Sequence, residues 1–157
     1  MRPVTGLLAA LLLAGCPSAV FAQGLVIAQS VEQTQTIDRS VIEQLPAVEQ
    51  QVSFLTGHGN ERGAYTGALL WSLLERRETL SGDPRGRLRR TVAVTGRDGY
   101  VAVLALAEID PEFEGKRVIL AYRRDGQPLP GDELRLVVPG DRRGGRSVRD
   151  VVKIELR

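Results

Sequence analysis

The stretch "GDRRGGRSVRD" (Gly140–Asp150) sets Arg142, Arg143, Arg146 and Arg149 among Gly140, Gly144 and Gly145. Guanidinium forks grip phosphate and other oxyanions at two points, and glycines let backbone N–H groups approach such an anion. The segment therefore reads in two ways. It is an anion cradle, or it is a surface turn whose arginines pair with Asp141 and Asp150. His58, the only histidine, lies in the glycine-rich "TGHGNERG" (Thr56–Gly63). It could carry a proton or contact an anion, but no second histidine or cysteine joins it in a metal-binding spacing. Asp110, Glu112 and Glu114 alternate along the chain, and without the glycine and ligand spacing of a calcium loop they read as a solvated acidic loop. Ser40, Ser53, Ser72, Ser81 and Ser147 all lie outside any nucleophile-elbow pattern. The residues alone thus assign no catalytic group and no metal site.

These side chains must be positioned by a chain of 157 residues, of which 43% are hydrophobic and 25% charged. That is the size and balance of one domain with an ordinary core. The formal charge of +2 comes without a basic tail and without aromatics interleaved among basic residues, which argues against a nucleic-acid partner. Apolar alternation over Val48–Leu55 predicts a strand. Ser40 with Glu43 suggests a capping box opening a short helix over Val41–Leu45, stopped by Pro46. Leu69, Leu70, Leu73 and Leu74 fall at helical spacing, and "SGDPRGR" (Ser81–Arg87) breaks the pattern. Asp98-Gly99 and Asp125-Gly126, each between apolar runs, predict two tight hairpins. Leu134–Val138 and Val151–Leu156 read as the last two strands. Helices between runs of strands, with no βαβ rhythm, predict an α+β domain with a mixed, hairpin-rich sheet.

The first 22 residues are expected to be a signal peptide. "MRPVTGLLAALLLAGC" has one basic residue, Arg2, and an apolar run too short to span a bilayer stably. "LAGC" (Leu13–Cys16) resembles a lipobox, which would acylate Cys16. "VFA" (Val20–Ala22) offers an alternative cleavage site. Either reading takes the protein to the periplasm or cell envelope, with membrane contact only through a lipid on Cys16. Cys16 is the only cysteine, so the folded part has no disulfide and no thiol nucleophile. Residues 23–39, rich in glutamine, are expected to be a flexible leader to a domain over residues 40–157.

Four motifs in order carry a resemblance: "YTGALLWSLLE" (Tyr65–Glu75), "VTGRDGYVAVLALAEID" (Val94–Asp110), "ILAYRRDGQPL" (Ile119–Leu129) and "LRLVVPGDRRGGRSVRDVVKIEL" (Leu134–Leu156). Together they resemble the oxidoreductase molybdopterin-binding domain, the fold of the sulfite oxidase family. In catalytic members, that resemblance implies a molybdenum–pterin cofactor whose metal takes a cysteine thiolate. It also implies that Arg146, before "SV", and Arg149, after it, lie in a cofactor-contacting segment, with Arg142 and His58 as further contacts of a vestigial pterin or small anion. The sequence departs from the catalytic pattern in three respects. The thiolate is missing, the long insert that carries it is replaced by the short loop of His58, and the leader has no twin-arginine motif. The expectation is a cofactor-free, non-catalytic accessory module that binds a small oxyanion or an envelope protein. The alternatives are a molybdopterin-dependent oxidoreductase or a subunit of a periplasmic redox complex, and a purely structural lipoprotein domain.

Overall fold

The computed structural model describes residues 24–29, 33–77, 80 and 83–157. The expected signal peptide and Cys16 lie outside them. Among the described residues, ten strands form two sheets, with four short α-helices, as the α+β expectation requires. The first sheet joins β1 (Leu25–Ala28), β2 (Thr34–Ile37), β5 (Thr91–Gly96), β6 (Val101–Ala105) and β10 (Val151–Leu156) in the order β2-β1-β10-β5-β6. The second joins β3 (Ala47–Thr56), β4 (Gly59–Leu69), β7 (Ile119–Arg124) and β8 (Gln127–Pro128), with β9 (Arg135–Val137) pairing β7. The helices are α1 (Arg39–Glu43), α2 (Leu70–Arg76), α3 (Pro84–Arg87) and α4 (Leu106–Ile109). Among the described residues, no helix is long and apolar enough to cross a membrane.

The larger core lies where the inward faces of both sheets meet the helices. Leu25, Ile27, Val92, Val94, Leu104 and Ile154 of the first sheet share it with Leu70, Leu73, Leu74, Leu120 and Leu136. A second cluster covers the opposite face of the second sheet: Val52, Phe54, Tyr65, Ile119, Ala121 and Val137. Strand β7 is therefore buried on both faces, which explains its run of apolar residues in "ILAY". Gly67 lets β4 approach β7 closely. A Cβ there would lie 2.1 Å from the Leu120 carbonyl oxygen and 2.5 Å from Ala121 Cα.

Several expectations need correction. The supposed leader at 23–39 contains β1 and β2, and β1 pairs in parallel with β10 while Leu25 and Ile27 are buried. Its apolar residues looked scattered because the strand is only four residues long. Helix α1 starts at Arg39, capped by Asp38 without a side-chain hydrogen bond, so there is no capping box. The helix is instead held by Arg39, which donates to the carbonyls of Tyr122 (3.0 Å) and Gly131 (2.8 Å). The "TGHGNERG" loop is a two-residue turn, Gly57-His58, inside a long β3–β4 hairpin. Part of "SGDPRGR" forms α3, where the Asp83 carboxylate accepts from the Arg85 N–H. Both Asp-Gly hairpins form as expected. The last two strands form as expected, β9 in the second sheet and β10 in the first, so the arginine segment crosses between sheets.

Candidate functional site

The period of two along a strand selects the groups on the outer face of the second sheet. Phe54 on β3 pairs with Glu61 on β4, Tyr65 follows four residues later on the same face, and Arg135 on β9 sits opposite Ala121. The crossing segment then lies over this face. The Leu55 N–H donates to the Arg142 carbonyl at 3.0 Å, and residues 144–146 form one 3-10 turn against the Phe54 ring. A Cβ at Gly144 would stand 2.9 Å from that ring, so the glycine is needed for this close packing. Between the segment, the β3–β4 hairpin and the β5–β6 turn opens a cleft of about 510 Å³.

Its floor is a partly buried polar network. Arg135, 7% exposed, donates to the Tyr65 hydroxyl at 2.9 Å and to Ser147 Oγ at 3.1 Å, and pairs with Glu61 at 2.9 Å. Tyr65 in turn donates to Glu61 at 2.7 Å, and the Arg135 guanidinium lies 5.0 Å from the Tyr65 ring centre. The Ser147 hydroxyl donates in turn to the Leu136 carbonyl at 3.1 Å. Burial pushes the Glu61 carboxyl up, but the hydrogen bonds from Tyr65 and Arg135 and the charges of Arg135 and Arg124 outweigh it and hold the group below its ordinary value. Burial, then the hydrogen bond to Glu61, pushes the Tyr65 phenol up to about 12. The floor is thus a fixed donor–acceptor array at neutral pH.

The walls carry exposed charge. Arg143 and Arg149 line the cleft with Tyr100, Asp98 and the backbone of Gly144 and Gly145. The carboxylates that flank them in sequence are engaged elsewhere: Asp141 with Arg146 at 2.5 Å, Asp150 with Arg97 at 2.5 Å. The lining therefore holds three arginines against Glu61 and Asp98.

The predicted residues separate clearly. Arg149 lines the cleft. Arg146 does not, because it is clamped by Asp141 and by Glu108 at 2.8 Å, and hydrogen bonding to Asp141 raises its pKa further. The local-pairing alternative thus describes Arg146. Arg142 is exposed and contributes its carbonyl to the β3 edge; His58 is exposed at the hairpin tip, beside the cleft residue Gly57 but outside the lining. The acidic run also divides. Asp110 is fully buried, facing Arg87 Nε at 2.8 Å off hydrogen-bond angle and accepting from the Glu112 N–H at 2.9 Å, so the solvated-loop reading fails for it. Sequence reasoning missed Glu61, Tyr65, Tyr100 and Arg135. Only the strand parity of Glu61 and Tyr65 hinted at a shared face. Among the described residues, no group of three or more His, Cys, Asp or Glu is placed to hold a metal ion.

Residues 22–157 match the family described as oxidoreductase molybdopterin binding domain. The crystal structure of the sulfane dehydrogenase SoxCD from Paracoccus pantotrophus is similar in fold, with a TM-score of 0.67 and 18% sequence identity over 85% of this chain. The match spans 37% of that SoxCD chain, so this chain covers well under half the length of the chain it resembles. No curated protein matches the sequence.

Proposed function

This chain belongs to the oxidoreductase molybdopterin-binding domain family, and from that premise we propose that it is an exported, non-catalytic member whose cleft binds a small oxyanion. The observation that carries the reading is the pairing pattern of the arginine segment. Asp141 and Asp150 are taken by Arg146 and Arg97, which leaves Arg143 and Arg149 facing a cleft with glycine backbone beside them. Planar guanidinium groups at such a wall suit a tetrahedral oxyanion, and the Tyr100 hydroxyl and Ser147 stand nearby as neutral polar groups.

The family's cofactor fits this cleft only in part. The arginines and glycines suit a phosphate arm. A thiolate-bound molybdenum does not fit, because the chain's single cysteine is Cys16 and none of the cleft residues is a cysteine. No redox step is therefore derived for it. The apolar run after Arg2 supports export, and Cys16 is the residue that a lipid anchor would use. Family membership itself favours the rival, a molybdopterin-dependent oxidoreductase or a redox-complex subunit, and cofactor content separates the two.

Two charge-assisted contacts worth about 1.5–3 kcal/mol each would give roughly millimolar affinity for a simple anion. Calorimetric titration with inorganic phosphate tests the reading. The expected result is saturable binding that weakens with salt and is lost in the Arg143→Glu/Arg149→Glu double variant. Equal binding by that variant, or none by the unmodified protein, contradicts it.

A further inference from the structure

We propose that the cleft takes an acidic α-amino acid, with its ammonium group on Glu61 and its two carboxylates on Arg135 and on the wall of Arg143 and Arg149. The wall's part rests on the oxyanion reading above, and the floor's part rests on two free atoms. Glu61 Oε1 takes every protein contact of that carboxylate: the Tyr65 hydroxyl at 2.7 Å, Arg135 Nη1 at 2.9 Å and Arg124 Nη1 at 3.4 Å. Among the described residues, Glu61 Oε2 has no hydrogen-bond partner, and it is not sealed from solvent. Arg135 is 7% exposed and uses Nε on Ser147 and Nη1 on Tyr65 and Glu61. Its Nη2 is likewise without a partner among the described residues and is reached by solvent. Both residues line the cleft.

A free anionic acceptor and a free cationic donor therefore stand side by side, on the two members of one ion pair. An inorganic oxyanion at Nη2 answers only the donor and meets Glu61 Oε2 as a like charge. An α-amino acid answers both, because its carboxylate and its ammonium share one carbon. Glu61 suits the second task. Against the effect of burial, the hydrogen bonds from Tyr65 and Arg135 keep its carboxyl below the ordinary value, so it is anionic at neutral pH. The second carboxylate of the ligand follows from charge and room. The lining sets Arg135, Arg143 and Arg149 against Glu61 and Asp98, a surplus of one positive charge, and an acidic amino acid carries one negative charge. The cleft volume of about 510 Å³ also falls in the range of organic-ligand sites, far more room than a lone tetrahedral ion fills.

Calorimetric titration of the full chain, held in mild detergent, tests this with inorganic phosphate and two matched pairs: L-glutamate against glutarate, and L-aspartate against succinate. The members of each pair differ by the ammonium group alone. At least one amino acid is expected to bind about tenfold or more tightly than its diacid, the worth of one charge-assisted hydrogen bond. Glu61→Gln is expected to bring that amino acid and its diacid within twofold of each other. Phosphate binding with no preference for either amino acid overturns this inference and leaves the oxyanion reading standing. A preference that survives in Glu61→Gln also overturns it. Binding of none of the five probes removes both readings. If Glu61→Gln fails to fold, N-acetyl-L-glutamate decides on the unmodified protein, since it keeps both acids and has no ammonium. Binding about tenfold weaker than L-glutamate supports the proposal, and equal binding overturns it.

Discussion

Replacing Arg135 with methionine removes the centre of the cleft floor. Methionine keeps an apolar stem of similar length, so the loss is mainly electrostatic. It deletes the pair with Glu61 at 2.9 Å, the hydrogen bonds to Tyr65 at 2.9 Å and Ser147 at 3.1 Å, and the contact over the Tyr65 ring. Removing one partner of a fully buried pair costs about 3–5 kcal/mol. Here the Glu61 side chain keeps 19% exposure and Arg124 remains 3.4 Å away, so water and a second charge soften the loss. The expected cost is about 2–3 kcal/mol at pH 7, which is roughly 5–10 °C in melting temperature for a domain of this size. The assay is thermal and urea unfolding of the unmodified protein, Arg135→Met, Glu61→Gln and the double variant. The double variant should be less destabilised than the sum of the singles by about 1 kcal/mol or more, because each single leaves an unpaired group that the double does not. The penalty should also depend on pH. The Glu61 carboxyl is held below its ordinary value of 4.5, so its contribution is complete above that value and is lost as pH falls through the lowered one. The Arg135→Met penalty should shrink in the same window. Additive singles, or a penalty unchanged from pH 7 into strong acid, would refute the view that the floor is one coupled network.

Three further outcomes are expected. Gly67→Ala should be recovered unfolded or lose roughly 3 kcal/mol or more on urea unfolding, because its Cβ would stand 2.1 Å from the Leu120 carbonyl oxygen and only a backbone shift relieves that. One tyrosine, absent from the Tyr65→Phe spectrum, should ionise near pH 12 by ultraviolet titration. Since the folded value is raised from 10.0, the stabilisation due to Tyr65 is complete below 10.0 and is lost as pH rises through about 12. Arg146→Gln should cost about 1–2 kcal/mol, given a guanidinium 34% exposed and bound by two carboxylates, yet leave phosphate binding within twofold of the unmodified protein. A large loss of binding would return Arg146 to the site.

Much of the fold was legible because it is written locally. The hairpins at Asp98-Gly99 and Asp125-Gly126 are set by adjacent residues, and strand β3 shows its period directly. The misreadings arose where distant partners decide. Leu25 and Ile27 form a strand only because β10 offers an edge in parallel, more than 120 residues later. Ser40 and Glu43 had the types of a capping box, but Arg39 ties the helix to Tyr122 and Gly131 and moves its start. The site divides in the same way. Composition marked the arginine segment, yet it could not tell Arg146, matched by Asp141 and Glu108, from Arg149 in the cleft wall. Arg135 was invisible as a site residue because its parity matters only once β9 is paired with β7.

An anion cleft and a thiolate-bound molybdenum centre differ in what the purified protein carries. The test is elemental and pterin analysis of the protein purified from cells grown with ample molybdate. The anion cleft predicts molybdenum and pterin far below one per chain. Stoichiometric amounts of both would contradict it.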